Sequence, residues 1–249
     1  MSSIVSIEEL ELDPIEASDL RRWLSDEHSR REPLSSGYQG AVYLYEGPSG
    51  QRIIKEALGS GLQYRIGRSM LRREFAAYRR VNGIEGVPHC YGLLDDRFLV
   101  LEHIVGIGFR DEQLDHAARE TVLQALLQTI QQIHAAGVTH NDIKRKDNIM
   151  VSAAGSPILL DFGLAFLRGA SGESLWFRFL KRMDYNAWIK IKYSSATDSI
   201  SDTDLKYYQP TALERIFRQW RRFWRTITLR QWRKMRTAQD SESVKNNKP

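Results

Sequence analysis

The sequence holds a single cysteine, Cys90, among 249 residues. That excludes a disulfide framework and makes a reducing compartment the natural setting. His89 stands beside it, but no second cysteine or histidine cluster completes a metal site, so a buried thiol next to a turn is expected. Long apolar runs are missing as well: nothing approaches the roughly 20 residues that cross a bilayer. The opening MSSIVSIEELELDP is acidic and lacks the apolar centre of a secretion signal, which points to a cytoplasmic protein. No internal repeat is visible.

What is present suffices for a folded chain. Hydrophobic residues make up 42% of the sequence, and aromatics are plentiful enough for a packed core. The net charge of +5 is unevenly spread: residues 211–236 hold eight Arg, one Lys and one Glu, a net of +8, and the remainder sums to −3. Basicity is therefore a property of the tail rather than of the fold.

The chemistry concentrates in residues 139–164, THNDIKRKDNIMVSAAGSPILLDFGL. Ile149–Val151 and Ile158–Leu160 flank a Gly155 turn and read as a short hairpin. Such a hairpin brings Asn148 and Asp161 to the same end. Phosphoryl transfer asks a protein mainly for a carboxylate to orient the accepting hydroxyl and for oxygen ligands to hold Mg²⁺. Asp142 suits the first role, and Asn148 with Asp161 the second.

His140, Asp142, Lys144, Asn148 and Asp161-Phe162-Gly163 resemble the signature of the protein-kinase-like superfamily, H-x-D-L-K-x-x-N followed by D-F-G. One departure stands out: Asn148 lies six residues after Asp142, where the family has five, and Asp147 occupies the usual place. A one-residue insertion with Asn148 as the metal ligand is favoured, because Asn148 directly precedes the apolar strand; Asp147 is the alternative. Upstream, Ser35-x-Gly37-x-x-Gly40-x-Val42 is similar to the family's Gly-rich loop, with Ser in place of the first Gly. Small residues there would let backbone N–H groups approach phosphates. Lys55 ends the segment Arg52-Ile53-Ile54-Lys55, and Glu74 follows nineteen residues later in a helical pattern of Leu71, Phe75 and Tyr78. The resemblance implies a Lys55–Glu74 ion pair that fixes the nucleotide phosphates. Leu99–Ile104 resembles the segment joining the kinase lobes, where backbone groups near Glu102 and Ile104 would meet adenine. His134 and His140 are expected to be structural.

The implied fold is α+β: a two-lobed protein-kinase-like fold with a reduced C-terminal lobe and a basic amphipathic C-terminal helix. The expected divisions are an N-terminal extension at 1–32 with a helix over Pro14–Ser25, and an N-lobe at 33–104. A reduced C-lobe at 105–210 contains an amphipathic helix over 115–136, then a basic helix spans 211–236 and a disordered tail 237–249. After Gly163 the family pattern fades, with no A-P-E motif and too few residues for a full peptide platform. Residues 176–182 and 185–193 read instead as core helices or an acceptor surface.

In the tail, Leu213, Ile216, Phe217, Trp220, Phe223, Trp224 and Ile227 recur at helical spacing among Arg215, Arg218, Arg221, Arg222 and Arg225. Aromatics opposite arginines suit a helix lying on an anionic membrane surface. Docking on the kinase core and a nucleic-acid patch are the alternatives, and nucleic acid is not the favoured partner. A short second lobe without A-P-E is similar to the bacterial lipopolysaccharide-core kinases, which implies ATP and Mg²⁺ as cofactors and a membrane glycolipid as acceptor. That would put the protein peripherally on the cytoplasmic face of the inner membrane. An atypical serine/threonine kinase and a membrane-associated pseudokinase scaffold are the alternatives.

Overall fold

The computed structural model describes residues 12, 14–26, 33–37, 40–110, 114–193 and 200–209. The chain divides into two compact units, Met1–Tyr208 and Gln209–Pro249. The expected basic helix at 211–236 and the polar end at 237–249 lie outside the described residues. The fold is mixed α and β, with antiparallel sheets and five helices among the described residues.

The first half is organised by a five-stranded sheet in the order β1 (Ser35–Gly37), β2 (Gly40–Gly47), β3 (Gly50–Glu56), β5 (Phe98–Glu102), β4 (Cys90–Leu94). Every neighbouring pair is antiparallel. Strand side chains alternate between faces, and β5 shows what that does here. Phe98 and Val100 join Tyr45, Ile54 and Leu94 in a cluster on one face, where Leu20 and Leu24 of helix α1 (Pro14–Ser25) cover them. Leu99 and Leu101 point the other way, into the main core with Leu71, Phe75 and Tyr78 of helix α2 (Gly61–Val81). With both faces covered, β5 reads as an unbroken apolar run rather than an alternating one. On β3 the same alternation sends Arg52 and Ile54 to the α1 side, where Arg52 pairs with Glu16 at 3.2 Å. Lys55 is left on the opposite side, facing α2.

The second half builds on helix α3 (His116–Ala135) and helix α4 (Leu175–Lys192). Asp115 caps α3 by accepting from the Ala118 amide at 2.8 Å, and Ser174 caps α4 through the Phe177 amide at 3.1 Å. The segments 176–182 and 185–193 are thus one continuous helix. Trp188 of α4 is fully buried and its indole N–H donates to the Leu123 carbonyl of α3 at 2.7 Å. A short strand β6 (Gly106–Gly108) pairs with β8 (Ile149–Ser152), which forms the expected hairpin with β9 (Pro157–Leu159) around Gly155. Two short strands, β7 (Val138–Thr139) and β10 (Phe166–Leu167), pair antiparallel. A last helix, α5 (Asp202–Leu205), is held to α4 by Lys192–Asp204 at 2.8 Å, and Tyr207 packs on Trp188 and Tyr185.

Trp188 ties α3, α4 and the 200–208 segment together. Replacing it by alanine is expected to cost about 3–5 kcal/mol, read as a lower urea midpoint in equilibrium unfolding. An unchanged midpoint would mean that this junction contributes little.

Candidate active site

The local chain geometry between Val138 and Phe166 assembles the site. Strand β7 ends at Thr139, and the next turn is fixed from outside by one carboxylate. Asp184 of α4 accepts from the His140 amide at 2.8 Å and the Asn141 amide at 2.7 Å, and its Oδ2 also meets His134 Nε2 at 2.9 Å. Asn141 sits at φ 67°, a left-handed backbone that costs a non-glycine residue about 1–2 kcal/mol. The Asp184 hydrogen bonds hold it there, with help from the Asn141 side chain on the Leu164 carbonyl at 2.9 Å.

His140 is completely buried. Its Nε2 meets the Leu160 carbonyl at 2.8 Å and its Nδ1 faces the Asp142 amide at 3.2 Å. One nitrogen must donate and the other accept, which is the neutral imidazole. Burial lowers its pKa below the usual histidine value, although Asp184, Asp161 and Asp142 all pull the other way. A ring so engaged positions the loop and carries no mobile proton.

Asp142 emerges from that loop nearly buried. The Asn148 amide nitrogen donates to its carbonyl at 3.1 Å and to its carboxylate at 3.2 Å. The extra residue between them is absorbed by a 3₁₀ turn at Lys146–Asn148, which buries Asn148 and leaves Asp147 exposed. Asp147 is 58% exposed and pairs with Arg110 at 3.3 Å. The Leu160 amide bonds the Asn148 carbonyl at 2.8 Å, extending the hairpin so that Asn148 and Asp161 stand at one end.

Asp161 adopts φ 63°, and its side chain accepts from the Gly163 amide at 3.3 Å. The adjoining Phe162 is buried between the Tyr78 and His140 rings, each with centroids 4.8 Å away. Lys55 reaches across from β3 to Glu74 at 2.5 Å and to Asp161 at 3.3 Å. Burial works against the Lys55 charge, but Glu74, Tyr78 and Asp161 outweigh it and raise its pKa. Burial raises the Glu74 pKa, with Asp161 adding to it and Lys55 opposing. Burial also opposes the Asp161 charge, yet Lys55 and the Gly163 amide hold its pKa below the usual carboxylate value.

A cleft of about 370 Å³ opens at this junction. Apolar Val42, Ile53, Leu101, Met150 and Leu160 line it; Lys55, Asn148 and Asp161 stand at its polar end, and Glu102, His103 and Ile104 form its edge. Glu102 is braced against His89, its amide on the His89 carbonyl at 2.8 Å and its carboxylate on the His89 amide at 2.9 Å. Of the residues singled out from sequence, Val42, Lys55, Glu102, Ile104, Asp147, Asn148 and Asp161 thus meet at one cleft, with Glu74 and Asp142 a hydrogen bond away. Lys144 follows Asp142 on an exposed stretch. Ser35, Gly37 and Gly40 form the β1–β2 hairpin outside the lining. Gly40 has φ 144°, and a Cβ there would lie 2.0 Å from the Glu56 carbonyl, so packing alone demands glycine.

Asp184 and Tyr78 were not found from sequence. Tyr78, fully buried, lies against the Asp161 backbone. Asp184 carries no local motif; its signal is a carboxylate within an otherwise apolar helix stripe.

The described residues contain no group of three or more His, Cys, Asp or Glu arranged for a metal ion. Mg²⁺, however, is commonly held by one or two carboxylates while phosphates and waters supply the rest. The Asp161 carboxylate and the Asn148 side-chain oxygen are hard donors of that kind, so the site fits a nucleotide-borne Mg²⁺. The apolar cleft with Lys55 at its polar end fits the nucleotide.

No family model matches the chain. It is similar to the 3-deoxy-D-manno-octulosonic acid kinase of Xanthomonas axonopodis pv. citri, 26% identical over 157 residues that make up 56% of this chain and 63% of that protein. The serine/threonine-protein kinase PknD of Mycobacterium tuberculosis is 32% identical over 152 residues, 57% of this chain and 22% of that protein. A probable bifunctional tRNA threonylcarbamoyladenosine biosynthesis protein of Methanosarcina barkeri is 26% identical over 166 residues, 58% of this chain and 29% of that protein. The chain spans less than two thirds of the length of these relatives.

Two outcomes follow from the loop geometry. Asp184→Ala leaves two amides without their acceptor, each a loss of about 1–3 kcal/mol, and unfolding midpoints should drop accordingly. His140 stays neutral when folded but protonates when unfolded, so below the unfolded pKa of about 6.5 the unfolded state binds more protons. Stability should therefore fall as pH drops from 7 to 5, by up to about 1.4 kcal/mol per unit for this group. His140→Gln should make that slope shallower than in the wild type; an identical slope would contradict the neutral assignment.

Proposed function

We propose that this chain, which belongs to the protein-kinase-like superfamily, is an ATP- and Mg²⁺-dependent kinase that phosphorylates a sugar hydroxyl of a lipopolysaccharide core or a similar membrane glycolipid. The observation that carries the reading is the convergence of Lys55, Asn148 and Asp161 on one apolar-walled cleft, with Glu74 and Asp142 hydrogen-bonded to them, from three separate stretches of chain. Similarity to 3-deoxy-D-manno-octulosonic acid kinases supports a sugar as acceptor.

When bound, Mg·ATP supplies the phosphoryl group and the metal charge that offsets its negative oxygens. Asp161 and Asn148 are the metal ligands in this reading; Asp147 also lines the cleft, but its pairing with Arg110 favours Asn148 over it. Lys55, braced by Glu74, neutralises phosphate oxygens. The backbone near Glu102 and Ile104 meets the base, and the hairpin carrying Ser35, Gly37, Gly40 and Val42 covers the phosphates. Asp142 orients the acceptor hydroxyl and takes its proton late, while Lys144 neutralises charge on the moving group. The Asn148–Asp142 hydrogen bond would couple the metal ligand to the base, so that both are aligned together.

No described helix is long and apolar enough to cross a membrane. Contact with an anionic surface is proposed for residues 211–236, with the protein peripheral on the cytoplasmic face of the inner membrane. A second reading, an atypical protein kinase, draws on the match to PknD.

Phosphate transfer from γ-labelled ATP with Mg²⁺, offered to envelope glycolipid and to cytosolic protein separately, tests both. Label in glycolipid that disappears in Asp142→Asn is the expected result, with ATP binding retained by that variant. Label confined to protein would favour the second reading, and nucleotide binding without transfer to either would leave a scaffold. Alanine at Asn148 should cost at least 100-fold in transfer, and alanine at Asp147 far less, since removing one group that aligns charge in phosphoryl transfer costs about 10²–10³. The reverse order would reassign the metal ligand.

A further inference from the structure

Beside Asp142 stands a cation that the reaction above does not use, Arg145. It belongs to the run Lys144-Arg145-Lys146-Asp147, in which Asp147 is the lone anion. Asp147 is already taken by Arg110, at 3.3 Å. Arg145 is the telling member. Its guanidinium lies 3.7 Å from Asp142 Oδ2 while 61% of its side chain remains exposed. Its amide donates to the Asp142 carbonyl at 3.1 Å, which fixes the base of the side chain to the loop. One end of this ion pair is nearly buried and the other projects into the approach to the carboxylate.

We propose that Arg145 is an anion-binding position for the acceptor, which must therefore be a sugar carrying a carboxylate or phosphate close to the hydroxyl that reacts. This deepens the kinase reading and rests on it for the role of Asp142. The geometry sets the distance. The reacting hydroxyl must come within about 3 Å of Asp142, and a guanidinium holds an oxyanion at a similar separation. With Arg145 adjacent to the same carboxylate oxygen, the anion belongs to the same sugar or to the one next to it.

The pair also sets a competition. An acidic acceptor draws Arg145 away from Asp142 onto its own anion, bidentately if it is a carboxylate. A neutral acceptor offers Arg145 nothing and leaves the pair closed.

Binding without turnover provides the test. The full chain, with Mg²⁺ and a non-hydrolysable ATP analogue, is titrated with the methyl glycoside of 3-deoxy-D-manno-octulosonic acid and with its neutral methyl ester. A parallel pair is glucose 6-phosphate and glucose. The expected result is that one anionic form binds about tenfold tighter than its neutral counterpart, the worth of a charged hydrogen bond; which pair shows it identifies carboxylate or phosphate. Arg145→Gln should remove most of that preference, and Arg145→Lys should restore some. Arg145 lies at the surface, so folding is not at issue. Asp142→Asn should tighten the anion further, and adding Arg145→Gln should cancel that gain, which a general change in surface charge would not do. Equal binding of acid and neutral forms, or a preference that survives Arg145→Gln, overturns the proposal. If no sugar is phosphorylated but the binding pattern holds, the kinase reading fails and the subsite stands. Transfer to acid and ester with equal kcat/KM fails the subsite and leaves the kinase.

Discussion

One buried carboxylate holds the second half of the site in place. Asp184, set in the middle of α4 with almost no access to water, would be a liability if left unpaired. It accepts instead from two successive backbone amides and meets His134. Successive amides can converge on one acceptor only if the chain bends sharply, and Asn141 supplies that bend with its left-handed backbone. The strained residue and the buried charge thus stabilise each other. Because α4 is anchored to α3 through Trp188, the position of Asp142 is referred to the helical core and not to a surface loop.

A second chain of contacts runs through Phe162. Its ring touches Tyr78 on α2 and His140 on the loop, and its neighbour Asp161 shares Lys55 with Glu74. Moving α2 would therefore disturb Glu74, Tyr78, Phe162 and Asp161 together. Two carboxylates around one ammonium make an arrangement in which none of the three tolerates removal of its partner, since an orphaned buried charge costs far more than the pair gains. Asp161 nevertheless remains partly open and lines the cleft, where it can take a further positive charge.

Much of this was legible because the chemistry is written locally. His140, Asp142, Asn148 and Asp161 fall within about two dozen residues, and the hairpin that pairs Asn148 with Asp161 follows from two apolar runs around a glycine turn. The six-residue gap was open on sequence because a 3₁₀ turn and a plain loop read alike; only the burial of Asn148 and the exposure of Asp147 distinguish them. What escaped was non-local. Asp184 is 44 residues from the amide it binds, and nothing in its neighbourhood hints at a partner. The same residue, with buried Asn186, breaks the apolar pattern of α4, so one helix of 18 residues read as two segments. The polar groups that interrupt a pattern were the ones with a structural task.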